Sequence, residues 1–236
     1  MPTAPPTRRR WFQFGLGSLL ALVTVFAVWL GWHMNRVHAQ RALVGRVNER
    51  GRNVTYDIQI QKRDGKSPYP DWIVQALGID FLHRVTVVFL HDIEFNDQDL
   101  LLVSHVPSIE CLSLVDAQIS NDGMKHLSRL KHLRSLELKV PGIDDDGLKY
   151  LACHTKLQEL WLTRTNVTND GLVYLRDMTE LKSLVLDDTR ITDAAIKHLK
   201  QLKNLNFISV SRTQISPEGI EELKAALPNA EIIKLY

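Results

Sequence analysis

Ile109, Leu133, Leu157, Leu181 and Leu205 recur at a fixed step of 24 residues. A beat of that length constrains the fold more than any single residue, because it marks one supersecondary unit stacked many times. Each unit opens on a stretch such as Leu133-Arg-Ser-Leu136-Glu-Leu138 or Leu157-Gln-Glu-Leu160-Trp-Leu162. That spacing puts alternate apolar side chains on one face of a short strand. A lone unit cannot bury such a face, whereas stacked neighbours bury it jointly. The beat reaches back to a weaker register at Val85. It runs on to an incomplete strand at Ala230–Leu235, which Ala226-Leu-Pro228 is expected to delay by one residue. The pattern predicts an elongated α/β solenoid over residues 85–236.

A second set of signals follows each strand: Ile119-Ser-Asn-Asp-Gly123, Val167-Thr-Asn-Asp-Gly171, Ile191-Thr-Asp193 and Ile215-Ser-Pro-Glu-Gly219. Ser120, Thr168, Thr192 and Ser216 are expected helix caps, since a hydroxyl there accepts from the unpaired N–H groups of a first turn. Pro217 suits a first helical position, where its missing N–H costs little. The segments that follow carry apolar pairs three apart, such as Leu148/Leu151 and Leu172/Leu175, on one helix face.

The full unit, L-x-x-L-x-L-x-x-T-x-I-T-D-x-G-L-x-x-L, resembles the leucine-rich-repeat family, in six consecutive registers. The whole chain is similar to bacterial single-pass membrane-anchored leucine-rich-repeat proteins. The resemblance implies a curved parallel sheet with helices on its convex side. It also implies a concave sheet face that binds partners. Where many such repeats carry Asn or Cys, this chain has Thr165, Thr189 and Thr213, preceded by Ala117 and Pro141. A threonine hydroxyl can still satisfy a turn backbone group. Ala117 and Pro141 cannot, so the early turns are expected to be looser.

Ahead of the repeats, Arg8, Arg9 and Arg10 precede 22 residues without a charge, Trp11 to Trp32. A helix of that length rises roughly 33 Å, against a hydrocarbon core of about 30 Å. Trp11 and Phe14 at one end, with Trp29 and Trp32 at the other, match the two interfaces of a bilayer. The segment is therefore expected to be a transmembrane helix in contact with the lipid bilayer. Cleavage of a signal peptide at Val37-His-Ala39 is the alternative, but the apolar run exceeds the length of a signal core. The triple arginine favours a cytoplasmic tail at residues 1–10, with the repeats outside the cytoplasm. Gly17 and Ala21 form a small-x-x-x-small pair that suits a homodimer through the membrane helix. Residues 33–84 are expected to hold a juxtamembrane helix and an N-terminal cap. A strand at Val54–Ile60 and a short helix from Asp71 would bring Trp72 and Phe81 over the first repeat.

The net charge of +2 is unevenly divided. Residues 1–52 hold eight arginines and one acid, a balance of +7, which leaves the remainder at −5. An acidic solenoid argues against a nucleic-acid partner. Cys111 and Cys153 fall at unrelated repeat positions, Cys111 on an exposed strand place and Cys153 on a helix, and give neither a disulfide framework nor a metal motif. The histidines His126 and His198 share one helix position and are expected at the surface. No His-Glu-x-x-His, Gly-x-Ser-x-Gly or P-loop pattern occurs, so neither catalysis nor a cofactor or metal is expected.

The outward strand positions are the better candidates for function. One column runs Phe89, Ser113, Glu137, Trp161, Val185, Ser209, Lys234. Its neighbour runs His91, Val115, Lys139, Thr163, Asp187, Ser211, Tyr236, with Arg164, Asp188 and Arg212 outside it. Trp161, ringed by Glu137, Glu159, Lys139, Arg164, Asp187 and Asp188, has the composition of an interface hot spot. The expected function is a membrane-tethered, non-catalytic interaction module that binds a protein or peptide there. A passive structural or envelope-organising protein is the alternative.

Overall fold

The computed structural model describes residues 16–49, 54–56, 68–91 and 94–235. Strands β1 (Val54–Tyr56), β2 (Val85–His91), β3 (Cys111–Val115), β4 (Ser135–Lys139), β5 (Glu159–Trp161), β6 (Ser183–Val185), β7 (Phe207–Ser209) and β8 (Glu231–Ile233) form one sheet in sequence order. From β2 onward every pairing is parallel, and each partner lies 24 residues away: Leu136 beside Leu160, Leu160 beside Leu184. These inward leucines are exposed by 1% or less. β1 closes the N-terminal edge antiparallel to β2.

The last strand keeps the step. Ser209 pairs with Ile233, and Glu231 N–H donates to Asn206 O at 2.8 Å, so the expected one-residue delay is not there. Lys234 therefore lies off the concave column, which ends at Ile233. Its ammonium instead donates to the carbonyl and hydroxyl of Thr213 at 2.6 and 3.1 Å, capping the final turn. Tyr236 lies outside the described residues.

The convex side is thinner than a row of α-helices. Gly123–Arg129 and Gly171–Leu175 are 3₁₀ turns, while Asp97–Ser104 and Pro217–Ala226 are α-helical. An α-helix is about 10 Å wide, whereas strands are spaced about 4.8 Å apart. A tighter coil reduces that mismatch, and what remains of it bends the sheet, strands inward. Ser216 caps its helix through Gly219 N–H at 3.0 Å and Thr192 caps Ala194 N–H at 3.3 Å. Ser120 and Thr168 accept from Gly123 and Asp170 at 3.1 and 3.3 Å.

A polar ladder that the sequence reading missed joins these caps. Asp97, Asn121, Asp145, Asn169 and Asp193 lie 24 residues apart. Each accepts the backbone N–H of the next unit's cap residue: Ser120 at 2.9 Å, Asp144 at 3.1 Å, Thr168 at 2.8 Å, Thr192 at 2.9 Å and Ser216 at 2.8 Å. The acceptors approach so closely that a Cβ at Gly171 would overlap Asp145 Oδ1. Gly171→Ala is thus expected to push Asp145 off Thr168, costing about 1–2 kcal/mol. Urea unfolding measures this, and an unmoved midpoint would refute the ladder's role.

The strand exits share a second device. Asp116, Arg164, Asp188 and Arg212 adopt φ of 53–56°, an uncommon region for such residues. Their N–H groups donate to Lys139, Asp187, Ser211 and Leu235 carbonyls in the following unit at 2.9–3.0 Å, which holds the strained turn. Thr165, Thr189 and Thr213 hydroxyls then donate to Leu162, Leu186 and Val210 carbonyls at 2.6–2.8 Å, as expected of threonine. The turn before Ala117 keeps the left-handed residue, contrary to the expected looseness. The turn at Pro141 does not, because Val140 is β-branched and precedes proline.

Helix α1 (Leu16–Glu49) is unbroken over 34 residues. Its first half is apolar and exposed, Val25 by 67% and Val28 by 70%. Val37, Gln40, Leu43 and Val47 on its second half are buried. Leu43 and Val47 join the core that covers the first unit. Gln40 Nε2 donates to His83 O at 3.0 Å, and Arg46 Nε meets Asp99 Oδ1 at 2.7 Å. This helix, with β1, covers the solenoid's open end. Trp72 does not, since it is 69% exposed. Phe81 packs its ring edge on His33 of α1, with centroids 4.3 Å apart. Trp11, Phe14 and Arg8 to Arg10 lie outside the described residues, as does the strand beyond Tyr56.

Candidate functional site: the concave sheet face

Strand alternation turns every second residue of β2 to β8 away from the core. The register aligns Phe89, Ser113, Glu137, Trp161, Val185, Ser209 and Ile233 in one column across the concave face. Phe89 is 49% exposed and Trp161 41%. Three strand spacings separate them, roughly 14 Å.

The polar residues of this face are fixed by hydroxyls on neighbouring strands. His91 Nε2 lies 2.9 Å from Ser113 Oγ, which donates to Glu137 Oε2. Ser135 Oγ donates to Glu159 Oε2 at 2.8 Å. Asp187 Oδ1 accepts from Ser209 Oγ at 2.6 Å and from Ser211 N–H at 2.8 Å. Glu137 and Glu159, on the column of Trp161 and the column beside it, are thus held by hydroxyls of the adjoining strands. Arg164 and Arg212 flank Asp188, with Nε–Oδ separations of 3.7 and 3.1 Å. The two arginines are more than half exposed, so this relay orients side chains more than it stabilises the fold. Lys139 is half-buried beside Val115 in the next column.

Sequence reasoning placed these residues on one face but not their mutual bonds. Cys111 is half-buried on β3, where burial raises its thiol pKa, and Cys153 is exposed in the turn after Lys149–Leu151 rather than on a helix. His126 and His198 are half-buried on the convex side, and burial lowers both pKa values. Among the described residues no three His, Cys, Asp or Glu side chains converge as a metal site.

No family model matches the chain. No curated protein matches it by sequence. Solved structures do match. Internalin C2 of Listeria monocytogenes is 27% identical, with a TM-score of 0.45 over 57% of this chain and 55% of that one. A leucine-rich-repeat protein of Leptospira interrogans is 21% identical, with a TM-score of 0.48 over 70% of this chain and 39% of that one. An internalin from Listeria monocytogenes, inlF, is 14% identical, with a TM-score of 0.42 over 70% and 49%. This chain spans about half or less of their lengths. Its own geometry, one parallel strand per 24-residue unit with thin helices behind, decides the fold class. The fold is a leucine-rich-repeat solenoid. Among the outward strand positions of this solenoid Phe89 and Trp161 are exposed and Glu137 is half-buried, whereas Ser113, Val115, Ser209 and Ser211 are buried.

Proposed function

We propose that the protein is a membrane-tethered interaction module that binds a protein or peptide on its concave face without catalysing a reaction. The observation that carries the reading is Trp161, exposed on a rigid strand among carboxylates already anchored by hydroxyls. An indole face beside Glu137 and Glu159 suits a lysine or arginine side chain of a partner, through cation–π and charge contacts. Rigid aromatics hold contact area at low entropic cost, which is why they dominate binding hot spots.

Tethering is supported by α1. Among the described residues it alone is long and apolar enough to cross a membrane, and little of its apolar stretch is buried. Retention of the helix, rather than cleavage after Ala39, is supported by the burial of Val37 and by helical backbone through that position. The acidic solenoid would then lie outside the cytoplasm and the basic tail inside.

Trp161→Ala is expected to weaken partner binding by about 2 kcal/mol or more. The measurement is co-purification from gently solubilised membranes, followed by affinity measurement with the purified partner. A partner bound equally by wild type and Trp161→Glu would remove the concave face from the reading.

A further inference from the structure

We infer that the junction between α1 and the first repeats is a binding site for the phosphate headgroup of an anionic phospholipid. The inference rests on the membrane-tethered reading above. A cavity of about 450 Å³ opens there, lined by Trp32, Arg36, Arg84, His105, Ser108 and His132 among others. Among the described residues its lining carries no carboxylate.

The course of α1 places this cavity at the bilayer. Arg46 contacts Asp99 at the start of helix Asp97–Ser104, whereas Trp32 shares the cavity with His105 at that helix's end. α1 therefore runs antiparallel to that helix and leaves the solenoid at the rim where the strands begin. Arg84, Ser108 and His132 mark that rim at successive 24-residue steps. Its exposed loops go on with Arg129, Lys131 and Lys156, and with Arg134 facing Glu110 at 3.9 Å. Asp177 and Glu180 lie farther along it, away from α1, while Asp97, Asp122, Asp144, Asp145, Asp170 and Asp193 gather at the opposite rim. The solenoid is thus polarised, with its basic rim on the side of the apolar helix.

The cavity also joins an apolar groove. Thr24, Val25, Val28, Trp29 and Trp32 line a second depression along α1, and Trp32 belongs to both. An acyl chain lying against Val25 and Val28 would bring its phosphate past the Trp32 ring to Arg36 and Arg84. Tryptophan suits that depth, with its apolar body in the tails and its N–H among headgroups. Arg36 is aimed by its bonds to His33 Nε2 at 3.2 Å and Phe81 O at 3.1 Å, so its guanidinium is oriented before lipid arrives. Guanidinium groups match phosphate oxygens with paired donors. The site would hold one lipid and fix the tilt of the solenoid on the membrane.

The test uses the full chain in nanodiscs of phosphatidylcholine with and without phosphatidylglycerol, with retained lipid counted by native mass spectrometry after gentle detergent release. Wild type is expected to retain one phosphatidylglycerol at least roughly tenfold in preference to phosphatidylcholine. Arg84→Glu/His132→Glu, at exposed positions, is expected to abolish the preference. Lys156→Glu/Lys182→Glu, on the same rim but outside the cavity, is expected to keep it. Equal retention of the two lipids, or equal loss in both variants, would overturn the site in favour of none or of diffuse attraction. Displacement of the lipid by millimolar inorganic phosphate would also overturn it, because the source would be a soluble oxyanion. A wild-type chain that does not enter nanodiscs fails the membrane reading itself, and the site falls with it. One that enters without a lipid preference fails the site alone.

Discussion

Leu160→Ala is expected to lower the unfolding free energy by about 2–5 kcal/mol. Leu160 is fully buried at the middle of the sheet, between Leu136 and Leu184 on the adjoining strands. Truncation removes contacts to both neighbours and leaves a cavity that rigid strands on either side cannot close. Position in the stack matters as much as burial. A solenoid is stabilised by nearest-neighbour interfaces, and this residue serves two of them. Urea unfolding of the full chain in mild detergent gives the shift in midpoint. A fall in the slope as well would mean that the two ends of the stack unfold separately. The adjacent Trp161→Ala, which removes a larger but outward side chain, is expected to change stability by no more than about 0.5 kcal/mol. Equal losses for the two variants would contradict the assigned strand faces.

The stack was legible because its signal is repeated. Leu136, Leu160 and Leu184 are each ambiguous alone, but a common step and a period-two alternation leave one arrangement. Register was misread only at the open end. There Ala226-Leu-Pro228 suggested a one-residue delay, whereas backbone bonds from β7 hold the strand in step. The cap was misread for a different reason. Trp72 looked like a lid because it is large and apolar, yet the covering surface comes from Val37, Gln40, Leu43 and Val47. Their spacing of three and four residues is the helical signal, hidden among the arginines of the same segment. The ladder from Asp97 to Asp193 escaped notice because Asp and Asn alternate in it and both are common near helix starts. Its 24-residue step was nonetheless there to be read.

The candidate site was legible as a set of columns and no further. Alternation along each strand is enough to say that Glu137 and Trp161 share a face. It does not say that Ser113 and Ser135 hold Glu137 and Glu159, because those bonds depend on which rotamers the curved face allows. The cavity where the middle of α1 meets the first repeats was beyond sequence reading altogether. It brings Arg36 beside His105 and His132, and that depends on where a long helix crosses the solenoid.

His154 alone is expected to remove about 3 kcal/mol of stability as pH drops from 7 to 4. Val106, Leu130, Met178 and Leu202 occupy the same repeat position in other units, and all are buried. His154 is thus an imidazole at a core position, 4% exposed. Its Nε2 is buried with no hydrogen-bond partner among the described residues. Burial, with a smaller contribution from the Lys131 charge, lowers its pKa to about 4, partly offset by a hydrogen bond to the Leu127 backbone. In the unfolded chain the ring titrates near about 6.5. Above that value both states are neutral and stability is full. Below it the unfolded chain takes up a proton that the folded chain refuses, so stability declines until the folded ring titrates too. His154→Leu, which restores the aliphatic pattern, is expected to remove this slope and to leave the variant more stable than wild type at pH 5. Urea titrations at several pH values separate the two. A slope that survives in His154→Leu would assign the pH dependence to other groups.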